Sequence, residues 1–355
     1  MMKVLIAMSG GVDSSVAAKL LCDEGCECIG CTMKLYDNCD AGLPRGRTCC
    51  SLDDVEDARS VAFSLGMRYY VFNFKDDFRE KVIKKFASGY LRGQTPNPCI
   101  DCNRYMKFDK LLERAKLLGC DKLATGHYAR IEFDGEKYRL KKALDKSKDQ
   151  SYVLYMLTQE QLAHTLFPLG SLHKTDTRAI ADAADLSSAR KPDSQDICFV
   201  PDGDYAAAIE RLTGEKAPCG DFIDASGKIL GTHRGITHYT VGQHRGLGLS
   251  LPERRYVCGI DAESGTVTLG GSDELYSSTA EVRDFNWISG EAPSEPIRCT
   301  AKIRYRQPEQ PATAIARSDG SVTLHFDAPQ RAVTPGQAAV LYDGNTVLGG
   351  GEIVR

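Results

Sequence analysis

Three short segments of this chain hold side chains whose types and spacing can do chemistry. The first is Ser9-Gly10-Gly11-Val12-Asp13-Ser14-Ser15. Paired glycines let a backbone approach a phosphate closely, and the free N–H groups at a helix start, with the positive end of its dipole, favour an anion there. No Gly-Lys-Ser/Thr follows, so this is not a Walker A loop. The second is Thr95-Pro96-Asn97-Pro98-Cys99-Ile100-Asp101-Cys102-Asn103. Its prolines stiffen the approach, and Asn103 is of a type that caps a following helix. A thiol at such a helix start has its anion favoured, which makes Cys102 a candidate nucleophile at neutral pH. The third, Asp193-Ser194-Gln195-Asp196-Ile197-Cys198-Phe199, places one cysteine in a polar loop far downstream. Taken alone, the CxxC suits a redox pair, half of a zinc site, or two ligands of an iron–sulfur cluster completed by one distant cysteine. A purely structural pair stays open beside these.

The surrounding pattern says what must position them. The apolar run Val4-Leu5-Ile6-Ala7-Met8 precedes the glycine turn, and Val16-Ala17-Ala18-Lys19-Leu20-Leu21 follows it, which reads as strand, turn, helix. Cys28 to Met33, Tyr69 to Asn73 and Lys122 to His127 read as further strands. Helices are expected from a cap at Ser51 to Gly66, over 76–92, and from Asn103 to Leu118. This order predicts a parallel sheet with helices on both faces and a ligand at the carboxyl ends of the strands, where Met33 and Gly126 fall. From Ala217 onward, short alternating runs between Gly, Pro, Asp and Ser predict β structure in two small units. The expected division is 1–205, 206–273 and 274–355.

Composition narrows the class. A chain of 355 residues exceeds one ordinary core, and 42% hydrophobic residues support folding throughout. No apolar run of about eighteen residues and no signal-peptide pattern occurs, so a cytoplasmic protein without a membrane span is expected. Fourteen cysteines without a secretion signal argue for thiol or metal chemistry at a few of them. Cys22, Cys26, Cys28, Cys120, Cys219, Cys258 and Cys299 read as buried filler, while Cys39, Cys49 and Cys50 stay open. The net charge of −3 neither demands nor excludes nucleic acid, since a local basic face suffices. Such faces are offered by Lys81, Lys84, Lys85, Arg92, Arg104 and Lys107, and by Arg298, Lys302, Arg304 and Arg306.

The segment SGGVDS resembles the PP-loop of ATP pyrophosphatases, which cleave ATP to AMP and pyrophosphate. AMSGGVDSS, TPNPCIDCN, LATGHYAR, KDQSYVL, KPDSQDICF, VGQHRGL and PGQ, in that order, resemble the tRNA-specific 2-thiouridylase family along nearly the whole chain. The resemblance implies an α/β PP-loop domain with a parallel sheet (adenine nucleotide alpha hydrolase-like), a small β-rich central domain and a C-terminal β-barrel. It implies ATP-dependent replacement of the C2 oxygen of the wobble uridine, U34, by sulfur, in tRNAs of the lysine, glutamate and glutamine type. By the same resemblance, Ala7, Met8, Ser9, Gly10, Gly11, Val12, Asp13 and Ser14 hold ATP with Mg2+, and Met33 and Gly126 contact the nucleotide. Cys198 carries a persulfide, Cys102 releases its sulfur through a disulfide, and Asn97, Pro98 and Cys99 face the target base. His127, Lys148, Asp149, Gln150, Arg304, Tyr305 and Gln337 contact tRNA, and a cysteine desulfurase or sulfur-relay protein supplies sulfur. Many members carry an aspartate where this chain has Cys99. That puts general acid–base help in doubt and opens a second route, a [4Fe-4S] cluster on Cys99, Cys102 and Cys198. An amidating PP-loop ligase is the competing enzyme class; it would need neither Cys102 nor Cys198.

Overall fold

A computed structural model describes residues 1–36, 52–192, 197–200 and 202–355. The readings made for Cys39, Cys49, Cys50 and Ser51, and for 193–196, lie outside the described residues. Strand β1 (Lys3–Ala7) runs into α1 (Val12–Asp23) through the glycine turn. Then come β2 (Glu27–Lys34), α2 (Leu52–Ser64), β3 (Arg68–Asn73) and β4 (Lys122–Thr125). The hairpin of β5 (Ala129–Phe133) and β6 (Tyr138–Lys142) follows, and β7 (Thr165–Leu166) completes the first layer. The apolar residues of β1 are buried on both faces, as a central parallel strand requires. The sheet has the order β3-β2-β1-β4-β7, all parallel. Its order reverses between β1 and β4, which opens the crevice for a ligand at their carboxyl ends.

Two long helices are built differently from the rest. Residues 75–91 and 98–117 each run without a break through a π-helical stretch, Arg79–Ile83 in the first and Cys102–Leu111 in the second. The second begins at Pro98, five residues before the expected start. Asn97 is its cap, with its side chain accepting from the Cys99 N–H at 3.1 Å, and Pro98 at the first helical position needs no donor partner. Asn103 is buried inside the helix and donates to the Val153 carbonyl at 3.0 Å.

Beyond helix Tyr205–Thr213 lies a four-stranded sheet of β8 (Gly220–Ile223), β9 (Ile229–His233), β10 (Tyr256–Asp261) and β11 (Thr266–Gly270). Strands β12 (Tyr276–Trp287), β13 (Ile297–Lys302), β14 (Gln310–Ala316), β15 (Val322–Arg331), β16 (Ala338–Asp343) and β17 (Thr346–Ile353) close into a barrel through the β12–β17 pairing. The hairpin β5–β6 extends that barrel's sheet, with Lys141 paired to Thr346. One apolar core runs from Leu5 and Phe86 to Ala338, Val340 and Tyr342, so the outer face of the barrel packs into the core of the parallel-sheet layer, while the barrel interior is a core of its own around Val282, Leu324 and Leu341. The central sheet has a separate small core around Phe222, Val257 and Leu269. Among the described residues no helix is long and apolar enough to cross a membrane.

Candidate active site

The glycine turn is held by its own backbone. Gly11 takes an extended conformation and starts α1, the Ser9 N–H donates to Ser14 Oγ at 3.1 Å, and Ser14 Oγ donates to the Gly11 carbonyl at 3.1 Å. Gly10 has φ +75°, and a Cβ there would collide with the Asp54 carbonyl. The Met8 N–H donates to the Cys31 carbonyl at 2.7 Å, which fixes where Ala7 ends and the turn begins. Met8, Val12 and Ser14 are buried; Ser9 is exposed at the mouth. Met33 lies near the end of β2, and Gly126 directly follows β4. A Cβ on Gly126 would stand 2.8 Å from the Asp13 carbonyl carbon and the Ser14 nitrogen, so only glycine lets the end of β4 lie on the turn.

Asp13 accepts from Lys174 Nζ at 2.6 Å and from the Tyr128 hydroxyl at 2.9 Å. Nothing local in the sequence marks Lys174, which lies 161 residues from its partner. Lys191 donates to Asp54 at 2.8 Å and also pairs with Asp57, which ties it to α2. The Phe199 ring packs edge-on against Phe78 and Phe86, and the Tyr36 hydroxyl donates to the Cys198 carbonyl at 2.9 Å. Cys198 itself is half-buried.

Cys102 does not sit where the sequence suggests. Because the helix starts at Pro98, Cys102 lies past its first turn, beyond the reach of the dipole. Burial against the core pushes its thiol up to about 11, with Lys107 pulling the other way. The first-turn thiol is Cys99, which is exposed. Between them Asp101 is buried at 5% exposure and accepts from Lys85 Nζ at 2.8 Å. Among the described residues no three His, Cys, Asp or Glu side chains gather where a metal could be held. Cys219, expected as filler, is exposed.

His127 is also placed otherwise than expected. At 7% exposure it packs between Phe108 and Phe167, and it does not face solvent where RNA would reach it. Lys107 Nζ lies 3.4 Å from its Nε2, and Thr125 Oγ1 lies 2.7 Å from its Nδ1. An ammonium can only donate, so the ring proton belongs on Nδ1. Burial and the neighbouring Lys107 charge hold its pKa well below the ordinary value, and the ring is neutral.

The barrel supplies the other wall. Gln337 Nε2 donates to the Thr95 carbonyl at 2.5 Å and the Thr95 N–H donates to Pro335 at 2.8 Å, two residues before Asn97. Pro98 is buried. Tyr305 is 38% exposed, its hydroxyl donates to the Asp149 carbonyl at 3.4 Å, its ring packs on that of Tyr152, and Lys302 lies over both rings. Burial raises its hydroxyl pKa, with Asp149 and Cys99 adding to the effect, so Cys99 and Tyr305 share one surface. Gln150 is bonded through backbone and side chain to Tyr128, the Asp149 carboxylate turns back to Ala143 and Ser151, and Lys148 is half-buried. Arg304 is a strut: one nitrogen donates to the carbonyls of Val241 and Ala332 and to Thr334 Oγ1. Of the basic residues noted above, Lys84, Lys85, Arg104 and Arg298 are engaged by Glu80, Asp101, Asp284 and Asp327.

Three family models match the chain. Residues 2–202 match the tRNA methyl transferase HUP domain, 208–271 the tRNA methyl transferase PRC-barrel domain, and 277–353 the aminomethyltransferase beta-barrel domain. The chain is 52% identical to the tRNA-specific 2-thiouridylase MnmA of Acetivibrio thermocellus, with 99% of each chain covered. It is 51% identical to MnmA 2 of Caldanaerobacter subterraneus subsp. tengcongensis and 47% identical to MnmA of Clostridioides difficile. In both cases 99% of this chain and 98% of the relative are covered.

Proposed function

The chain belongs to the tRNA-specific 2-thiouridylase family, and from that membership we propose that it thiolates C2 of U34 in tRNAs of the lysine, glutamate and glutamine type at the expense of ATP. One short chain of contacts carries this reading. Gly126 lies on the Asp13–Ser14 backbone, and the next residue, His127, touches Lys107 on the helix that bears Cys102. A nucleotide loop and a thiol segment are thereby joined across the end of β4.

A uracil carbonyl has no leaving group, and transfer of AMP to its oxygen supplies one. Ser9 to Ser14 and Gly126 are assigned to ATP, with Met33 at the end of the adjacent strand. Magnesium would arrive on the phosphates of ATP; Asp13 is held by Lys174 and Tyr128, and its role is to orient that lysine beside the loop. A persulfide on Cys198, loaded by a cysteine desulfurase or relay protein, attacks C2 through its outer sulfur. The Cys102 thiolate then attacks the Cys198 sulfur. The Cys198 sulfur–sulfur bond breaks, a Cys102–Cys198 disulfide forms, and the outer sulfur keeps the electron pair on C2. The C2–O bond breaks as AMP leaves, and an external dithiol reduces the disulfide. The base would sit at Asn97, Pro98 and Cys99, with Tyr305 and Lys148 to Gln150 beside it; a flipped base is commonly held by an aromatic face.

The test is incubation with unmodified glutamate tRNA, ATP, magnesium and a sulfur donor, followed by nucleoside mass spectrometry. The expected result is 2-thiouridine with AMP release, lost in Cys102→Ser and in Cys198→Ser. ATP consumption with no thiolated nucleoside under any sulfur supply would sink the reading.

A further inference from the structure

Among the described residues Lys107 is a cation without a counter-ion. Among the described residues its ammonium has no carboxylate within ion-pair distance. The group it reaches is Nε2 of His127, a ring that burial keeps neutral. A half-buried charge left uncompensated in the resting protein is costly unless an anion comes to meet it.

The helix decides what it faces. From Cys102 to Leu111 the backbone is π-helical, so its hydrogen bonds span five residues and Lys107 joins Met106 in the turn above Cys102. In an α-helix that turn would hold Tyr105 and Met106. Met106 is fully buried in the core. The contact with His127 then holds the amine near the carboxyl end of β4, against the residue that follows Gly126. Burial opposes the anion of Cys102 most strongly, Lys107 is the group that favours it, and Cys99 and Asp101 add to the opposition.

We propose that Lys107 is a positioning residue for the sulfur transfer, holding a positive charge over the Cys102 sulfur and stabilising it in the anionic form that attacks Cys198. The thiol proton leaves to water, and the ammonium keeps its own. His127 serves as the neutral anchor that aims the amine. The chemical role rests on the thiolation reading; the local positive potential does not.

That potential is measured on the whole protein by alkylating it in separate reactions with iodoacetate, an anion, and iodoacetamide, its neutral analogue. The rate at Cys102 is read by peptide mass spectrometry. The ratio of the two rates reports local charge and is insensitive to how much of the thiol is ionised. Lys107→Gln keeps a donor for His127 and removes only the charge; it should lower the ratio at Cys102 about three- to tenfold. Lys107→Arg should hold the ratio within about twofold of the wild type, and Cys219, exposed in the central sheet region, should not change in either. In turnover, Lys107→Gln should lower kcat at least about tenfold with the KM for ATP and tRNA within about twofold. An unchanged ratio at Cys102 in Lys107→Gln, or a ratio lost equally in Lys107→Arg, overturns the proposal. If the wild type forms no 2-thiouridine, the thiolation reading fails, and the alkylation ratio still decides whether Lys107 charges the Cys102 sulfur.

Discussion

At the scale of single residues, burial outweighs the helix dipole. The Cys102 thiol sits past the first turn and against apolar side chains, and its pKa stands near 11. Its alkylation rate by a neutral reagent should therefore climb about tenfold per pH unit from pH 7 to 10, with no plateau near pH 8 to 9; a plateau there would contradict the buried placement. His127 gives a second pH effect. Its folded pKa lies well below 6.5, so below that value the unfolded chain binds a proton that the folded chain refuses. Stability is then fully present above about pH 6.5 and falls as the pH drops below it, by about 1.4 kcal/mol per unit for one such group. Denaturant titrations of wild type and His127→Gln between pH 7 and 5 should show a flatter acid limb in the variant. His233 and His238, also lowered by burial, keep part of the slope in both.

At the scale of elements, the parallel layer is written plainly in the chain. Val4 to Met8 and Tyr69 to Asn73 are largely apolar runs bounded by turn residues, and their alternation with helices implies a parallel sheet; the strand order that sets the crevice appears only in the folded chain. The start of the Cys102 helix was harder to read because Asn97 and Asn103 are both good caps. Pro98 at the first helical position was the signal that separates them. The hairpin β5–β6 shows alternation around Asp134-Gly135, which is a readable turn. That it joins the barrel is not readable, because Lys141 meets Thr346 only in the folded chain. The same holds for Lys174 on Asp13 and for the rings of Phe108 and Phe167 around His127. The contact between β4 and the glycine turn can be tested directly. Gly126→Ala forces a Cβ against main-chain atoms of Asp13 and Ser14 and should cost about 1–3 kcal/mol, with ATP affinity weakened. Gly11→Ala, where the new carbon meets only Ser9 Oγ at 3.5 Å and φ is −91°, should fold as well as the wild type. Equal loss in both variants would refute the close approach.

At the scale of the whole molecule, the shared core between parallel sheet and barrel predicts that these two parts unfold together. The central sheet, with its own small core, should give a separate transition in scanning calorimetry. Gly336→Ala sharpens this. Gly336 has φ +87° and lies against the Thr95 nitrogen, so the substitution should lower the joint transition and leave the central one in place. Independent melting of the barrel would contradict the shared core.

That shared core also sets a schedule. The buried Tyr152 hydroxyl finds its acceptor, the Ala338 carbonyl, 186 residues later in the chain. At a ribosome's pace this separation is roughly ten to forty seconds of synthesis. Throughout that time the catalytic layer has been made and its apolar flank has nothing to cover it. Yield in a cell should therefore depend on chaperone supply and on growth temperature more than the stability of the finished protein would suggest.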